Sequence, residues 1–208
     1  MAPWRNYLLD SKMAAPNHSG RFVTVGPDDA DIVRGLRAGD RDAWGALCQK
    51  YGERLWRFVA RLVGSDEDVV ADVFQETLMA VAKSGRAIRS DTTLWPWLSR
   101  IGHNQAALSW RKRYRDRPAG DGAMDSLTSA DGDPVASLTR METVESVRAL
   151  LSEMNADHVA LLTAKYLDGL TVPQILDVFG GTTESVRSSL ARARRDFRER
   201  YDRLRVKQ

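Results

Sequence analysis

A single cysteine, Cys48, stands in 208 residues, alongside three histidines and seven prolines. A lone thiol makes no internal disulfide, and zinc or iron–sulfur sites built on cysteine need several thiolates at short spacing, so both scaffolds are excluded. This usage points to a reducing, cytoplasmic setting. Long apolar runs are missing too: none approaches the ~18 residues of a membrane span. The opening MAPWRNYLLDSKM puts Asp10 and Lys12 where a secretory leader would need its apolar core. The sequence also lacks a phosphate-cradling glycine loop, metal-ligand spacing, and a histidine set beside a nucleophile and an acid; His18, His103 and His158 lie in unrelated segments. The expectation is a protein that is not an enzyme and needs neither metal nor cofactor.

What is present is apolar matter and unevenly placed charge. Hydrophobic residues make up 43% and charged residues 28%, enough for one large domain or two small ones. The net charge is only +3, but its distribution is informative. Residues 95–117 carry six basic side chains against the single acid Asp116, and residues 185–208 carry nine against three. Residues 65–76 hold five acids (Asp66, Glu67, Asp68, Asp72, Glu76) and no base, and 118–137 hold four. Two basic segments beside an acidic face imply two anionic contacts and one basic partner.

Periodicity reads as helix throughout, with no convincing strand. Residues 1–27 lack sustained periodicity and read as a mostly disordered tail, within which Met13 is a second candidate start. Ile32, Val33 and Leu36 form a short stripe ending at Gly39. Trp44, Leu47, Cys48, Tyr51, Leu55, Phe58, Val59 and Leu62 recur on one face of a helix over 41–63 that stops at Gly64. Ser65 is the expected N-cap of a third helix carrying Val69, Val70, Val73, Phe74, Leu78 and Val81. A fourth runs from about Leu94 to Arg115, with Pro96 tolerated in its first turn. Gly, Ala, Ser, Asp and Pro dominate 118–137, the mark of a flexible linker and domain boundary. Beyond it come a helix with Leu138, Met141, Val144, Val147 and Leu151, and one capped by Asn155 and closed at Gly169. A short helix follows, opened by a Thr171–Gln174 capping box, and then a long one capped by Thr182 after the Gly180-Gly181 turn. The fold class is all-α, two small helical domains.

At ~100° per residue, the fourth helix places Leu94, Trp97, Leu98, Ile101 and Leu108 on an arc expected to face a core. Arg100, His103, Asn104, Ala107, Trp110 and Arg111 fall on the neighbouring arc, whose basic and aromatic chemistry suits unstacked nucleic acid. Trp97 reads as core, whereas Trp95 and Trp110 stay open between stacking and core. A short helix, a glycine turn and a longer basic helix match the helix-turn-helix layout, in which the second helix enters the major groove. That helix offers Thr183, Glu184, Arg187, Ser188 and Arg192 to base edges or phosphates.

The run GLRAGDRDAWGALCQKYGERLWRFVARLVGSDEDVVADVFQET at 35–77, followed by LWPWLSRIGHNQAALSWRKR at 94–113, resembles region 2 of sigma-70 family factors of the extracytoplasmic-function (ECF) group. LLSEMNADHVALLTAKYLDGLTVPQILDVFGGTTESVRSSLARARRDFRE at 150–199 resembles region 4 of the same group. The resemblance implies a tail (1–27), region 2 (28–117), a linker (118–137) and region 4 (138–208). It also implies a non-catalytic initiation factor that directs core RNA polymerase to promoters. Its Asp-x-x-Gln-Glu patch matches Asp72, Gln75 and Glu76, the implied contacts to the β′ clamp coiled coil, with the β subunit as a further partner. The loop at about 86–93 and Asn104 match the family's means of melting and capturing the −10 element, with Arg100, Arg111 and Lys112 beside them. Thr183, Arg187, Ser188 and Arg192 match positions that read the −35 duplex. The resemblance implies an anti-sigma factor as well. Departures are Leu176 in place of a small alanine, Ser189 and Ala191 in place of arginine and an aromatic or histidine, Asn155 in place of proline, and no aromatic in the 86–93 loop. The runner-up is a stand-alone helix-turn-helix regulator whose first domain senses or dimerises.

Overall fold

The computed structural model describes residues 28–115 and 134–206, and their side chains except those of Tyr114, 134–142 and 205–206. The expected tail, the linker up to residue 133, Leu138 and Met141 lie outside what is described. Among the described residues every regular element is a helix, as the periodicity requires. The chain divides into two compact units between Gly102 and His103.

In the first unit, α1 (Asp29–Ala38) starts at Asp28, whose carboxylate accepts from the Asp31 N–H at 2.8 Å, and buries Ile32, Val33 and Leu36. It ends at Gly39, whose φ of 74° lies in the left-handed region that glycine enters without strain. Helix α2 (Arg41–Val63) buries the face its spacing predicts, from Leu47 to Leu62, although Trp44 is only half-buried. Cys48 lies inside this face, and burial pushes its thiol up to about 11, so it is a packed sulfhydryl rather than a nucleophile. The cap of α3 (Glu67–Gly85) corrects the expectation by one residue. Asp66, not Ser65, accepts from the N–H groups of Asp68 at 3.1 Å and Val69 at 3.2 Å, a charged acceptor at the positive end of the helix dipole.

Helix α4 (Leu94–Arg115) has the expected bounds but a different buried face. Leu94 and Leu98 are buried, yet so are Trp95, Ser99, Gly102, His103, Ala106 and Ala107, while Leu108 is 52% exposed. Trp97 and Ile101 are half-buried. The face is rotated because small residues, not only large apolar ones, make its contact. A Cβ on Gly102 would lie 3.3 Å from Leu55 Cδ1 and 3.7 Å from Phe58 and Thr77 carbons, so the glycine sets how closely α4 approaches. Trp95 is 2% exposed, stacks near Tyr51 and meets Phe58 edge-on, with the Arg54 guanidinium 4.1 Å from its ring centroid.

Gly35 plays a similar part between α1 and α2, where an added Cβ would overlap that of Ala43. Gly35→Ala is expected to cost about 1–3 kcal/mol through overpacking. Adding Ala43→Gly should recover most of the loss, and urea unfolding of the two variants checks the pairing.

In the second unit, α5 (Pro134–Glu153) begins four residues before the expected Leu138. Asn155 caps α6 (Ala156–Leu162), as read from the sequence. Its continuation to Gly169 is not simple α-helix, because residues Thr163–Leu167 form a wider π-helical turn. That turn leaves Tyr166 and Leu167 each 57% exposed. Helix α7 (Val172–Phe179) opens on the expected reciprocal box, with the Thr171 N–H donating to Gln174 Oε1 at 2.9 Å and the Gln174 N–H to Thr171 Oγ1 at 3.5 Å. Helix α8 (Thr183–Val206) is capped by Thr182, which accepts from the Ser185 N–H at 3.1 Å. Leu161, Ala164, Ile175, Val186 and Leu190 form the core that fixes α7 against α8, and Leu176 packs against its edge.

Candidate nucleic-acid and docking interfaces

In α3 the buried face of Val70, Val73, Phe74, Thr77 and Val81 turns Asp68, Asp72, Gln75 and Glu76 outward, since positions three and four apart share a side of a helix. Met79, 39% exposed, extends this ridge. The Asp72, Gln75 and Glu76 side chains have no hydrogen-bond or ion-pair partner among the described residues. Three such groups held together on a rigid helix form a ready negative face for a basic partner.

The loop between α3 and α4 is pinned by Ile88, 5% exposed, and by the Thr92 N–H donating to the Arg89 carbonyl at 3.2 Å. At its exposed tip Arg89 grips Asp91 with two hydrogen bonds, Nε to Oδ1 at 3.1 Å and Nη2 to Oδ2 at 3.0 Å. That fork holds the Asp91 carboxyl below its ordinary range. Following the loop, α4 exposes Arg100, Asn104, Leu108, Arg111, Lys112 and Arg115. All four residues named for this helix therefore reach solvent. His103 and Ala107, expected beside them, do not: His103 is 4% exposed, and its Nε2 lies 2.8 Å from the Leu151 carbonyl oxygen. Sequence reasoning missed that Leu108 belongs to the outward face, bordered by half-buried Trp97 and Ile101. The stripe of Ser99, Gly102 and Ala106 was the signal that could have revealed it.

In the second unit, Thr183, Arg187, Ser188 and Arg192 are exposed on the N-terminal half of α8, opposite buried Val186, Leu190 and Ala193. Arg192 Nη2 donates to Ser189 Oγ at 3.1 Å, which steadies that guanidinium. A different face of this unit holds a largely apolar groove of about 490 Å³ between Leu151, Leu162, Tyr166, Leu167 and Phe197. The sequence gives no direct sign of it, because it depends on the π-helical turn.

His158 Nδ1 and Arg200 Nε both meet the Asp196 carboxylate, at 2.9 and 2.7 Å, and tie α6 to α8. Burial alone would raise the Asp196 pKa, but hydrogen bonds from Arg200 and His158 outweigh it and hold the carboxyl below its ordinary range. A depressed folded-state pKa gives stability that is complete above the unfolded value, near 4, and is lost as pH falls through the folded value. Asp196→Asn is therefore expected to lower stability at neutral pH and to flatten the acid limb of a urea-midpoint profile taken from pH 7 to 2.

Among the described residues, an all-helical framework carries a helix-turn-helix, a second exposed basic helix and an exposed acidic ridge. Residues 47–116 match the family model described as Sigma-70 region 2. The chain is 26% identical over 174 residues to the RNA polymerase sigma-H factor of Pseudomonas aeruginosa, covering 80% of this chain and 90% of that one. The same identity and coverage relate it to the ECF RNA polymerase sigma-E factor of Escherichia coli strain K12. Matches of that length cannot fit within either compact unit alone. Among solved structures, CnrH in complex with the cytosolic domain of CnrY has 21% sequence identity and a TM-score of 0.45, covering 84% of this chain and 97% of that one. The chain thus carries a match to Sigma-70 region 2 over residues 47–116 and is similar over most of its length to ECF sigma factors. Among the described residues no helix is long and apolar enough to cross a membrane.

Proposed function

We propose that this chain seats on core RNA polymerase through the α3 ridge and divides promoter recognition between its two basic helices. Asp72, Gln75 and Glu76 would meet a basic surface of the β′ clamp coiled coil. Arg100, Asn104, Arg111 and Lys112, with the 86–93 loop, would hold the opened −10 strand. Thr183, Arg187, Ser188 and Arg192 would read −35 duplex DNA. The domain limits proposed with this division are region 2 over 28–117, a linker over 118–137 whose last four residues are the first turn of α5, and region 4 over 138–208. The observation that carries the reading is that the two basic faces differ in kind. The α8 face is hydrophilic, which suits phosphates and groove edges. The α4 face sets Leu108 and the Trp97 edge among its cations, which suits unstacked bases.

Extracting bases from the stack costs a few kcal/mol, so the strand must be held by stacking as well as by charge. The apolar groove beside Tyr166 and Leu167 is the proposed seat for the β subunit. An anti-sigma factor that covers the ridge and the basic faces would silence all of these contacts, and a factor of this kind acts in the cytoplasm and performs no catalysis itself. The stand-alone regulator reading is not favoured, since the relatives are sigma factors.

The test separates the two helices. Arg192→Ala is expected to weaken binding of −35 duplex by about tenfold or more, the scale of a lost charge-assisted contact. Capture of single-stranded −10 DNA should stay unchanged. Equal loss of both in fluorescence anisotropy would overturn the division of labour.

A further inference from the structure

Away from both basic helices, the first unit has a cleft of about 430 Å³ where the end of α1, the start of α2 and the end of α3 meet. We infer that this cleft binds a nucleoside phosphate, with the base against Trp44 and the phosphate between Arg41 and Arg86. The inference does not depend on the promoter reading above.

The cleft is lined by Leu36, Gly39, Asp40, Arg41, Trp44 and Arg86, a set that combines an apolar floor, an indole, two cations and a carboxylate. Trp44 lies on the predicted core face of α2 yet is only half-buried, because the cleft takes the place of a packing partner. Arg41 and Arg86 are exposed, and neither has an ion-pair partner among the described residues. Arg86 lies beside Gly39. A Cβ on Gly39 would come within 3.1 Å of Arg86 Nη2 and 3.3 Å of its Nε, so the guanidinium lies against the glycine backbone. Gly39 is favoured by its φ of 74°, and its lack of a Cβ leaves room for the Arg86 guanidinium.

The one acid in the cleft does not close it. Asp40 Oδ1 accepts from the Asp42 N–H at 2.9 Å as the cap of α2, which draws its charge toward the positive end of that helix. Its second oxygen can accept from base N–H groups, a pairing that guanine offers at N1 and its amino group and thymine lacks at an amino group. Guanidinium groups beside an aromatic face are the general chemistry for holding a phosphate and a base together.

A nucleoside phosphate can arrive as a unit of a DNA strand or as a free nucleotide, and the experiment distinguishes these sources. The full chain is titrated separately with a short guanine-containing single-stranded deoxyoligonucleotide and with guanosine 5′-diphosphate. Anisotropy of the labelled oligonucleotide, calorimetry for the nucleotide and tryptophan emission are followed. Arg41→Gln with Arg86→Gln is expected to weaken binding about tenfold or more. Both positions are exposed, so the double variant should melt as the parent does. Trp44→Phe should abolish the emission change that guanosine 5′-diphosphate produces and remove the part of the oligonucleotide-induced change that persists in a Trp97→Ala background. Loss confined to the oligonucleotide assigns the cleft to a DNA strand, and loss with the diphosphate assigns it to a free nucleotide. The inference is overturned if the double variant binds both titrants as tightly as the parent, or if neither titrant changes the emission that Trp44→Phe removes.

Discussion

Replacing Asp72 and Glu76 together by arginine is expected to raise the Kd for core RNA polymerase about 100-fold, roughly 3 kcal/mol, because like charges then face one another across the docking surface. Stability should hardly move. Both side chains are exposed on α3 and make no intramolecular ion pair among the described residues, so their substitution should stay within about 0.5 kcal/mol. Pull-down with purified core enzyme, set beside a thermal melt, separates lost docking from lost fold. An unchanged Kd would remove the ridge from polymerase binding.

The two tryptophans near the start of α4 should behave in opposite ways. Trp95→Ala removes a ring that is 2% exposed and packed against Tyr51, Phe58 and the Arg54 guanidinium, and is expected to destabilise the first unit by about 3–5 kcal/mol. Trp97→Ala removes a half-buried ring at the border of the exposed basic face. It should cost much less stability and weaken single-stranded −10 binding by about 1–3 kcal/mol, the worth of one stacked base. Chemical denaturation and anisotropy with single-stranded DNA measure the two effects. Comparable destabilisation by both substitutions would place Trp97 in the core, where its spacing alone would put it.

That pair shows where periodicity stops being informative. Helical spacing and caps led to the bounds of α2, α4 and α7 because these depend on neighbours in the chain: Gly64 as a stop, Pro96 in a first turn, the Thr171–Gln174 box. The buried side of α4 was misread because the reading weighed large apolar residues and ignored small ones. Ser99, Gly102 and Ala106 contribute little hydrophobic area yet are buried, and at Gly102 the missing Cβ leaves room for Leu55, Phe58 and Thr77. The Asp66 cap was missed for a simpler reason, since Ser65 and Asp66 are both good caps and only geometry selects between them.

The exposure of the candidate site residues was legible to a greater extent. Asp72, Gln75, Glu76, Arg100, Asn104, Arg111, Lys112, Thr183, Arg187, Ser188 and Arg192 are all exposed. Charged and amide side chains on amphipathic helices turn to solvent because burying them without partners is costly. His103 is the exception, and it has a carbonyl partner.

Sequence alone determined that the regular elements of the described residues are helices, where most of them begin and end, and which segments carry each sign of charge. These properties are local, set by spacing, capping and composition. Only the tertiary structure decided which side of α4 faces outward, where the π-helical turn opens an apolar groove, and that Trp44, Arg41 and Arg86 share a cleft. Those depend on how closely separate helices pack, and packing distance is set by contacts between residues far apart in the chain.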